Sequence, residues 1–316
     1  DLVLGVGTRF QDFTTGSWGL FANPQCKVIS LNTAAYDAAK HGAMPLMADA
    51  KIGLTELGDA IDGYKVDVGV ASLKADWFGK VDPLTEAPKD GNALPTDMQV
   101  VGAVQRSATA ETVAMCAAGT MPGELHKLWK ANKPGAYHME YGFSCMGYEV
   151  AGAMGIKMAQ PERDVICFAG DGTYMMANSE MATAAMLSIS FTTVITDNRG
   201  YGCINRLQMG TGGAEFNNLL AHSTGGENSN IDFAAHAGSM GATSVKVSTI
   251  AELETALAKR HDIKGPYVVV IDTDPYPSTP HGGTWWDVSV PEVSERAEVN
   301  EAYANYQINK KSQRID

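Results

Sequence analysis

Two rhythms of apolar and polar residues run along this chain. Short, almost unbroken apolar runs alternate with longer stretches in which apolar residues return every three or four positions. The first read as strands covered on both faces, the second as amphipathic helices. Buried strands are predicted at residues 2–7, 27–31, 112–118, 164–169, 191–196 and 267–272. Helices are predicted at 54–61, 123–131, 146–159, 179–187 and 249–259. Thr96 with Gln99, and Thr249 with Glu252, have the spacing of helix-starting capping pairs, and the first predicts a helix running to about Ser107. A polar loop is expected over 210–230, and residues 83–95, with Pro83, Pro88, Asp90-Gly91 and Pro95, have linker chemistry.

Strands that alternate with helices predict an α/β fold with a mostly parallel sheet covered on both faces. In such sheets ligands bind beyond the carboxyl ends of the strands. The opening Asp1-Leu2-Val3-Leu4-Gly5-Val6-Gly7 reads as a strand without lead-in, so the chain is expected to be a fragment or a processed product.

Composition removes several classes of partner. Lys+Arg 24 against Asp+Glu 36 gives a net charge of −12, and no basic stripe exceeds Lys310-Lys311. Nucleic acid and anionic membrane surfaces are therefore excluded as partners. An anion would have to be held by backbone amides and a metal. No apolar run reaches the ~18 residues of a membrane helix, and a cytoplasmic location is expected. Five cysteines, Cys26, Cys116, Cys145, Cys167 and Cys203, are unpaired in number and spacing, as reduced core cysteines would be. Gly5-Val6-Gly7 is followed by Thr8, Arg9 and Phe10 and lacks the later glycine of a dinucleotide fingerprint.

The chemistry concentrates around Asp171. Gly170-Asp171-Gly172 alone would mark only a turn. Here a predicted buried strand delivers Asp171 at its carboxyl end, and a second delivers Asp197-Asn198, with Asn198 lying 27 positions after Asp171. Gly200-Tyr201-Gly202 follows at once, a loop whose backbone can approach a ligand closely. The set suits Mg2+, which takes six oxygens and few protein carboxylates. Asp171 would supply a charged oxygen, Asn198 an amide oxygen and Gly200 a backbone carbonyl. Two diphosphate oxygens and a water would complete the shell, with amides of Gly172 and Thr173 directed at the phosphates.

These residues, with Asp197-Asn198-Arg199-Gly200-Tyr201-Gly202, resemble the signature of thiamine diphosphate-dependent enzymes. Asp197 stands where asparagine is often found, which is not the ligand position. The resemblance implies thiamine diphosphate and Mg2+ as cofactors. It places Gly170, Gly172, Thr173, Tyr201 and Gly202 against the cofactor, and Met146 beneath it as the apolar wedge that bends it. It also implies the domain order: residues 1–79 as the C-terminal part of a Rossmann-like central domain, 80–95 a linker, 96–275 the diphosphate- and magnesium-binding domain, and 276–316 a tail and possible lid.

More narrowly, residues 125–129, 137–147, 202–210, His281, Trp285-Trp286 and 291–303 are similar to the branch of the family that opens a cyclic polyol 1,2-diketone in myo-inositol breakdown. That likeness implies hydrolysis of the carbon–carbon bond between two ring carbonyls, with 5-deoxyglucuronate as the expected product. The glutamate that activates the cofactor would lie on a pyrimidine-binding domain, in a missing half or on a partner subunit of a homodimer or homotetramer. Glu140 and Glu149 are read as structural. His138 and His281 are the candidate acids or bases, and Trp285 and Trp286 could close the site or cover a core. Two other readings stay open: a carboligase or decarboxylase acting on 2-oxo acids, and a non-catalytic fragment.

Overall fold

The computed structural model describes residues 2–65, 69–91, 93–140, 142–280 and 286–314. They divide into two compact units. The first takes in the described residues up to Val70, Gly210–Gly213 and the described tail after Pro280; the second is Ala71–Met209 with Ala214–Pro280.

The first unit carries β1 (Leu2–Val6), α1 (Asp12–Thr15), β2 (Lys27–Asn32), α2 (Ala35–Ala39), β3 (Met44–Met47) and α3 (Ala50–Ala60). Its three strands are parallel, in the order β1-β2-β3. Asp49 caps α3, its carboxylate accepting from the amides of Lys51 at 2.9 Å and Ile52 at 3.2 Å. The expectation of a buried first strand is corrected here. β1 is an edge strand, and Leu2, Leu4 and Val6 are exposed, Leu2 at 62%.

The second unit begins with α4 (Val70–Val81), α5 (Asp97–Ser107), β4 (Thr112–Cys116), α6 (Thr120–Leu128), β5 (Tyr137–Met139) and α7 (Tyr148–Ala159). It continues with β6 (Asp164–Gly170), α8 (Asp171–Met176), α9 (Glu180–Met186), β7 (Thr192–Asp197), α10 (Gly202–Gly210), α11 (Phe233–Ser239), β8 (Thr243–Val247), α12 (Ile250–Ala258) and β9 (Tyr267–Asp272). The six strands form one parallel sheet, β5-β4-β6-β7-β9-β8.

Alternation within each strand explains why the runs are apolar throughout, since successive side chains point to opposite faces. Ala114, Cys116, Ile166, Phe168, Val194, Val269 and Ile271 meet α5, α6 and α12 on one side. Met115, Val165, Cys167, Ile195, Val268 and Val270 meet α7, α9 and α11 on the other. All five cysteines are free, and Cys116 and Cys167 lie fully buried in these strands. Thr96 and Gln99 form the complete capping box that starts α5.

Residues 71–79, placed by the sequence in the first domain, fold with the second unit. Trp77 and Phe78 of α4 pack on its core, and the Trp77 indole donates to Lys127 O at 2.9 Å. The tail returns to the first unit. Trp286 donates to Asp12 Oδ2 at 2.8 Å, and Arg314, beyond α13 (Ala297–Lys310), donates to Cys26 O at 2.7 Å. His281 and Trp285 lie outside the described residues. Among the described residues no helix is long and apolar enough to cross a membrane.

Candidate functional site

The two central strands end where the sequence places the chemistry. β6 and β7 are hydrogen-bonded neighbours with Gly170 opposite Thr196, so Asp171 and Asn198 emerge side by side from adjacent carboxyl ends. Asp171 opens α8, a position that leaves amides without intrahelical partners. The chain leaving β7 turns sharply. Arg199 adopts φ 61° and its amide donates to Asp197 Oδ1 at 3.1 Å. Gly200 follows at φ 146°, and a Cβ there would stand 2.4 Å from Asn218 O. No other residue type could adopt this turn without displacing backbone. The loop is pinned from outside by Tyr201 N donating to Asn218 O at 2.7 Å and Leu220 N donating to Arg199 O at 2.9 Å.

Asp171 is held on one side only. Its Oδ2 accepts from Gly200 N at 2.8 Å, while its Oδ1 is buried and has no hydrogen-bond partner. Asn198 Oδ1 is also buried and unpartnered. Burial, with the Asp197 carboxylate beside it, pushes the Asp171 carboxyl up to about 7. Two orphaned oxygens at adjacent strand ends are costly unless something fills the gap. A carboxylate and an amide oxygen are the donors a hard dication selects. The residues present therefore fit magnesium: Asp171, Asn198 and the Gly200 carbonyl would hold it. Among the described residues no group of three or more His, Cys, Asp or Glu could hold a metal.

Around this pair the other predicted residues take different places. The Tyr201 ring lies against Gly172, its Cε1 2.6 Å from where a Cβ of that glycine would stand. Gly170 faces open space at the end of β6, and Gly202 starts α10 beside the Asn198 amide. Thr173 is buried, and its hydroxyl is committed inward, donating to Glu149 Oε1 at 3.1 Å and accepting from Gly147 N at 3.1 Å. Glu149 also accepts from Ala118 N at 3.1 Å and from Gly147 N at 2.9 Å. Burial raises its carboxyl while those donors oppose the shift. Met146 is half-buried and lies outside the helix predicted to contain it, because Gly147 at φ 95° precedes the first turn of α7.

His138 does not join this group. It lies on β5, with β4 standing between β5 and β6. Its Nε2 pairs with Tyr148 Oη at 3.2 Å, and both side chains line a cavity of about 490 Å³ beside α7. Glu140 accepts from the amides of Phe143 at 2.9 Å and Cys145 at 2.8 Å, which hold its carboxyl below the usual range.

A second polar cluster escaped the sequence reading. Asp97 is 1% exposed, neither of its oxygens has a hydrogen-bond partner, and burial pushes it up to about 7 against the pull of Arg206. An aspartate in the first turn of a helix is so ordinary that nothing in the sequence marks it. Glu124 accepts from Thr279 N at 3.1 and 3.2 Å, and Lys127 Nζ donates to Thr279 O at 3.2 Å.

The parallel sheet agrees with the fold of a thiamine diphosphate-binding domain. Residues 117–271 match the family described as thiamine pyrophosphate enzyme, C-terminal TPP binding domain, and the chain carries a domain of that family. Similar proteins extend further along the chain. The 3D-(3,5/4)-trihydroxycyclohexane-1,2-dione hydrolase of Halalkalibacterium halodurans is 36% identical over 334 residues, covering 96% of this chain and 52% of that protein. The proteins of that name from Geobacillus thermodenitrificans and Bacillus subtilis are 36% and 34% identical, covering 98% and 96% of this chain and 53% and 51% of their own lengths. The chain thus spans about half the length of the curated relatives it matches.

Proposed function

We propose that the protein containing this chain hydrolyses the carbon–carbon bond between the carbonyls of a trihydroxycyclohexane-1,2-dione, with thiamine diphosphate and Mg2+ as cofactors. The observation that carries this reading is the reach of the similarity. It runs over 96% of the chain, well outside residues 117–271, so the likeness takes in the first unit and the tail as well as the cofactor-binding domain.

The reaction balances with water alone. One ring carbonyl carbon gains the water's hydroxyl and becomes a carboxylate; the other gains a proton and becomes an aldehyde, giving 5-deoxyglucuronate. Thiamine diphosphate, when bound, would supply a nucleophilic ring carbon and a cationic ring that takes up the electron pair of the broken bond. The role of this chain is to hold and orient. Asp171, Asn198 and the Gly200 carbonyl take the metal, and the turn at Gly170, Gly172, Thr173, Tyr201 and Gly202 lines the diphosphate. Met146 supports the cofactor from below. His281, which lies outside the described residues, is the proposed proton carrier on this chain; His138, paired with Tyr148 and with β4 between its strand and β6, is not. The pyrimidine-binding domain and its activating glutamate come from another part of the protein or from a second subunit of a homo-oligomer.

The test is a product assay on the full-length protein loaded with thiamine diphosphate and Mg2+. Consumption of the cyclic diketone with release of one carboxylate and one aldehyde per ring, and no carbon dioxide, is the expected result. Carbon dioxide release from pyruvate with no ring opening would replace this reading with that of a 2-oxo acid carboligase or decarboxylase. No turnover of either substrate would favour a non-catalytic role.

A further inference from the structure

The segment after α10 carries a cluster of polar side chains that the proposed chemistry leaves unused. Glu215 Oε1 accepts from Asn205 Nδ2 of α10 at 2.8 Å, and Asn205 is buried. Glu215 Oε2 stands 3.5 Å from His222 Nε2, on the single helical turn Leu220–His222. The Tyr276 hydroxyl, beyond β9, also donates to Glu215. The Asn205 amide does most to hold the Glu215 carboxyl below its usual range, with desolvation opposing it and Tyr276 and His222 assisting. One carboxylate thereby gathers α10, the segment after β9 and both ends of residues 215–222. The pair is a clamp rather than an acid–base relay, because His222 turns Nε2 to Glu215 and buries Nδ1.

Between the two ends of that segment lies the strip that pairs with the metal loop. Asn218 O accepts from Tyr201 N at 2.7 Å, and Arg199 O accepts from Leu220 N at 2.9 Å. Gly200 is paired with Leu219 between these two bonds, in antiparallel sense. The bonds thus flank the residue whose carbonyl is one of the proposed metal ligands. Asn218 Nδ2 adds a bond to Gln208 Oε1 of α10 at 2.6 Å. Residues 215–222 therefore form a loop closed at its base by Glu215 and His222, with its middle laid on the turn at 199–201. Ordering a loop opposes its backbone entropy, so contacts that close its base favour the paired state of its middle.

We propose that Glu215 is a positioning residue of the metal site: with Asn205 and His222 it closes the 215–222 loop, and so holds the Gly200 turn in the form that presents its carbonyl to the cation. This rests on the magnesium reading of Asp171, Asn198 and Gly200. Groups directly behind a metal ligand are worth about 10- to 100-fold in metal affinity. Glu215 acts one step further back, which puts the expected loss at the lower end of that range.

The first arm of the experiment reads the loop itself, by hydrogen exchange in the metal-free full-length protein. Glu215→Ala should speed exchange of the Tyr201 and Leu220 amides, the two donors of the pairing, by about 10-fold or more. Glu215→Gln still accepts from Asn205 and offers an N–H to His222 Nε2, so both amides should stay within about 3-fold of wild type. The second arm titrates Mn2+ at saturating thiamine diphosphate, reading free metal by electron paramagnetic resonance. Glu215→Ala should weaken Mn2+ binding by about 10-fold and Glu215→Gln by about 3-fold or less. His222→Ala should add little to Glu215→Ala, since the two side chains form one clamp. Unchanged amide exchange in Glu215→Ala, or losses from the two alanine variants that simply add, overturns the proposal. Faster exchange with wild-type Mn2+ affinity makes the clamp structural only and overturns the positioning role. If Glu215→Ala does not fold, His222→Ala decides by the same two readings. Asp171→Ala tests the underlying reading separately: Mn2+ binding that survives it removes the metal assignment itself, while amide exchange still judges the clamp.

Discussion

Glu149 and Asp171 are both buried carboxylates, both raised by burial, and they use their oxygens in opposite ways. Both oxygens of Glu149 are filled by donors of the protein itself: Ala118 N, Gly147 N and the Thr173 hydroxyl. Asp171 has one oxygen on Gly200 N and the other bare. The first arrangement is a brace, locking the turn before α7 to the start of α8 and the end of β4. The second leaves one oxygen for a partner from outside, as the proposed metal site requires. Thr173 serves both, since its backbone follows Asp171 by two residues and its hydroxyl belongs to the brace. Burial and a raised pKa do not separate the two roles; the count of internal donors does.

The sharpest way to break this contrast is to remove each carboxylate in turn. Asp171→Ala should weaken Mg2+-dependent thiamine diphosphate binding by more than about 100-fold, with the melting temperature of the metal-free protein unchanged or raised, since a bare buried carboxylate costs stability. Glu149→Ala should do the reverse. It strands the Ala118 amide and the Thr173 hydroxyl in the interior, while Gly147 N keeps Thr173 Oγ1, and should lower stability to denaturant by about 3 kcal/mol. The folded fraction should keep its cofactor affinity within about 10-fold. Loss of cofactor binding without loss of stability in Glu149→Ala would erase the distinction.

Asp97 sharpens the comparison, as a buried carboxylate beside the Thr273 hydroxyl whose charged neighbours are Arg206, Glu124 and Asp274. Its carboxyl is raised from 3.8 to about 7, chiefly by burial. The folded state thus keeps the proton to higher pH than the unfolded chain. Its favourable contribution is complete below about pH 4, is lost as pH rises towards 7, and changes no further above that. Thermal melts of wild type and Asp97→Asn should diverge in favour of the variant between pH 4.5 and 7 and run parallel above. A constant difference across that range would mean Asp97 is ionised throughout, paired with Arg206.

How much of this could be read beforehand follows from what the local pattern carries. β6 and β7 are apolar on both faces because helices cover both, so their runs were plain, and Asp171 and Asn198 could be placed at their ends. The two capping pairs were visible because each is a contact between residues three apart. β5 is only Tyr137–Met139, and β8, Thr243–Val247, alternates polar with apolar at the sheet edge; neither has the length or the run that marks a strand. α13 carries exposed apolar residues such as Ile308 and shows no apolar stripe to follow. Within the site, residue types were legible and bonding was not. The sequence directs the Thr173 amide at the phosphates, and it carries no sign that the hydroxyl of the same residue braces Glu149. Asp97 and Arg206 depend on contacts between α5, α6, α10 and the segment after β9, which no local spacing encodes.

The smallest of these effects falls where brace and ligand meet. Met146 sits directly before Gly147, whose amide is held by both Glu149 Oε2 and Thr173 Oγ1. The proposed wedge must not yield, and this mounting gives Met146 a backbone fixed at the adjoining residue. Met146→Ala should therefore lower turnover of the full-length enzyme by about 5- to 10-fold, because a cofactor bent less far misplaces its reacting atoms. Thiamine diphosphate affinity should change by no more than about 2-fold, since diphosphate and metal contacts supply most of the grip. Glu149→Gln replaces one accepting oxygen by an N–H group facing donors. It should give a weaker version of the same pattern, together with a loss of stability that Met146→Ala does not show. If Met146→Ala instead loses cofactor while the loaded fraction turns over normally, Met146 is a binding contact and the brace supports affinity rather than geometry.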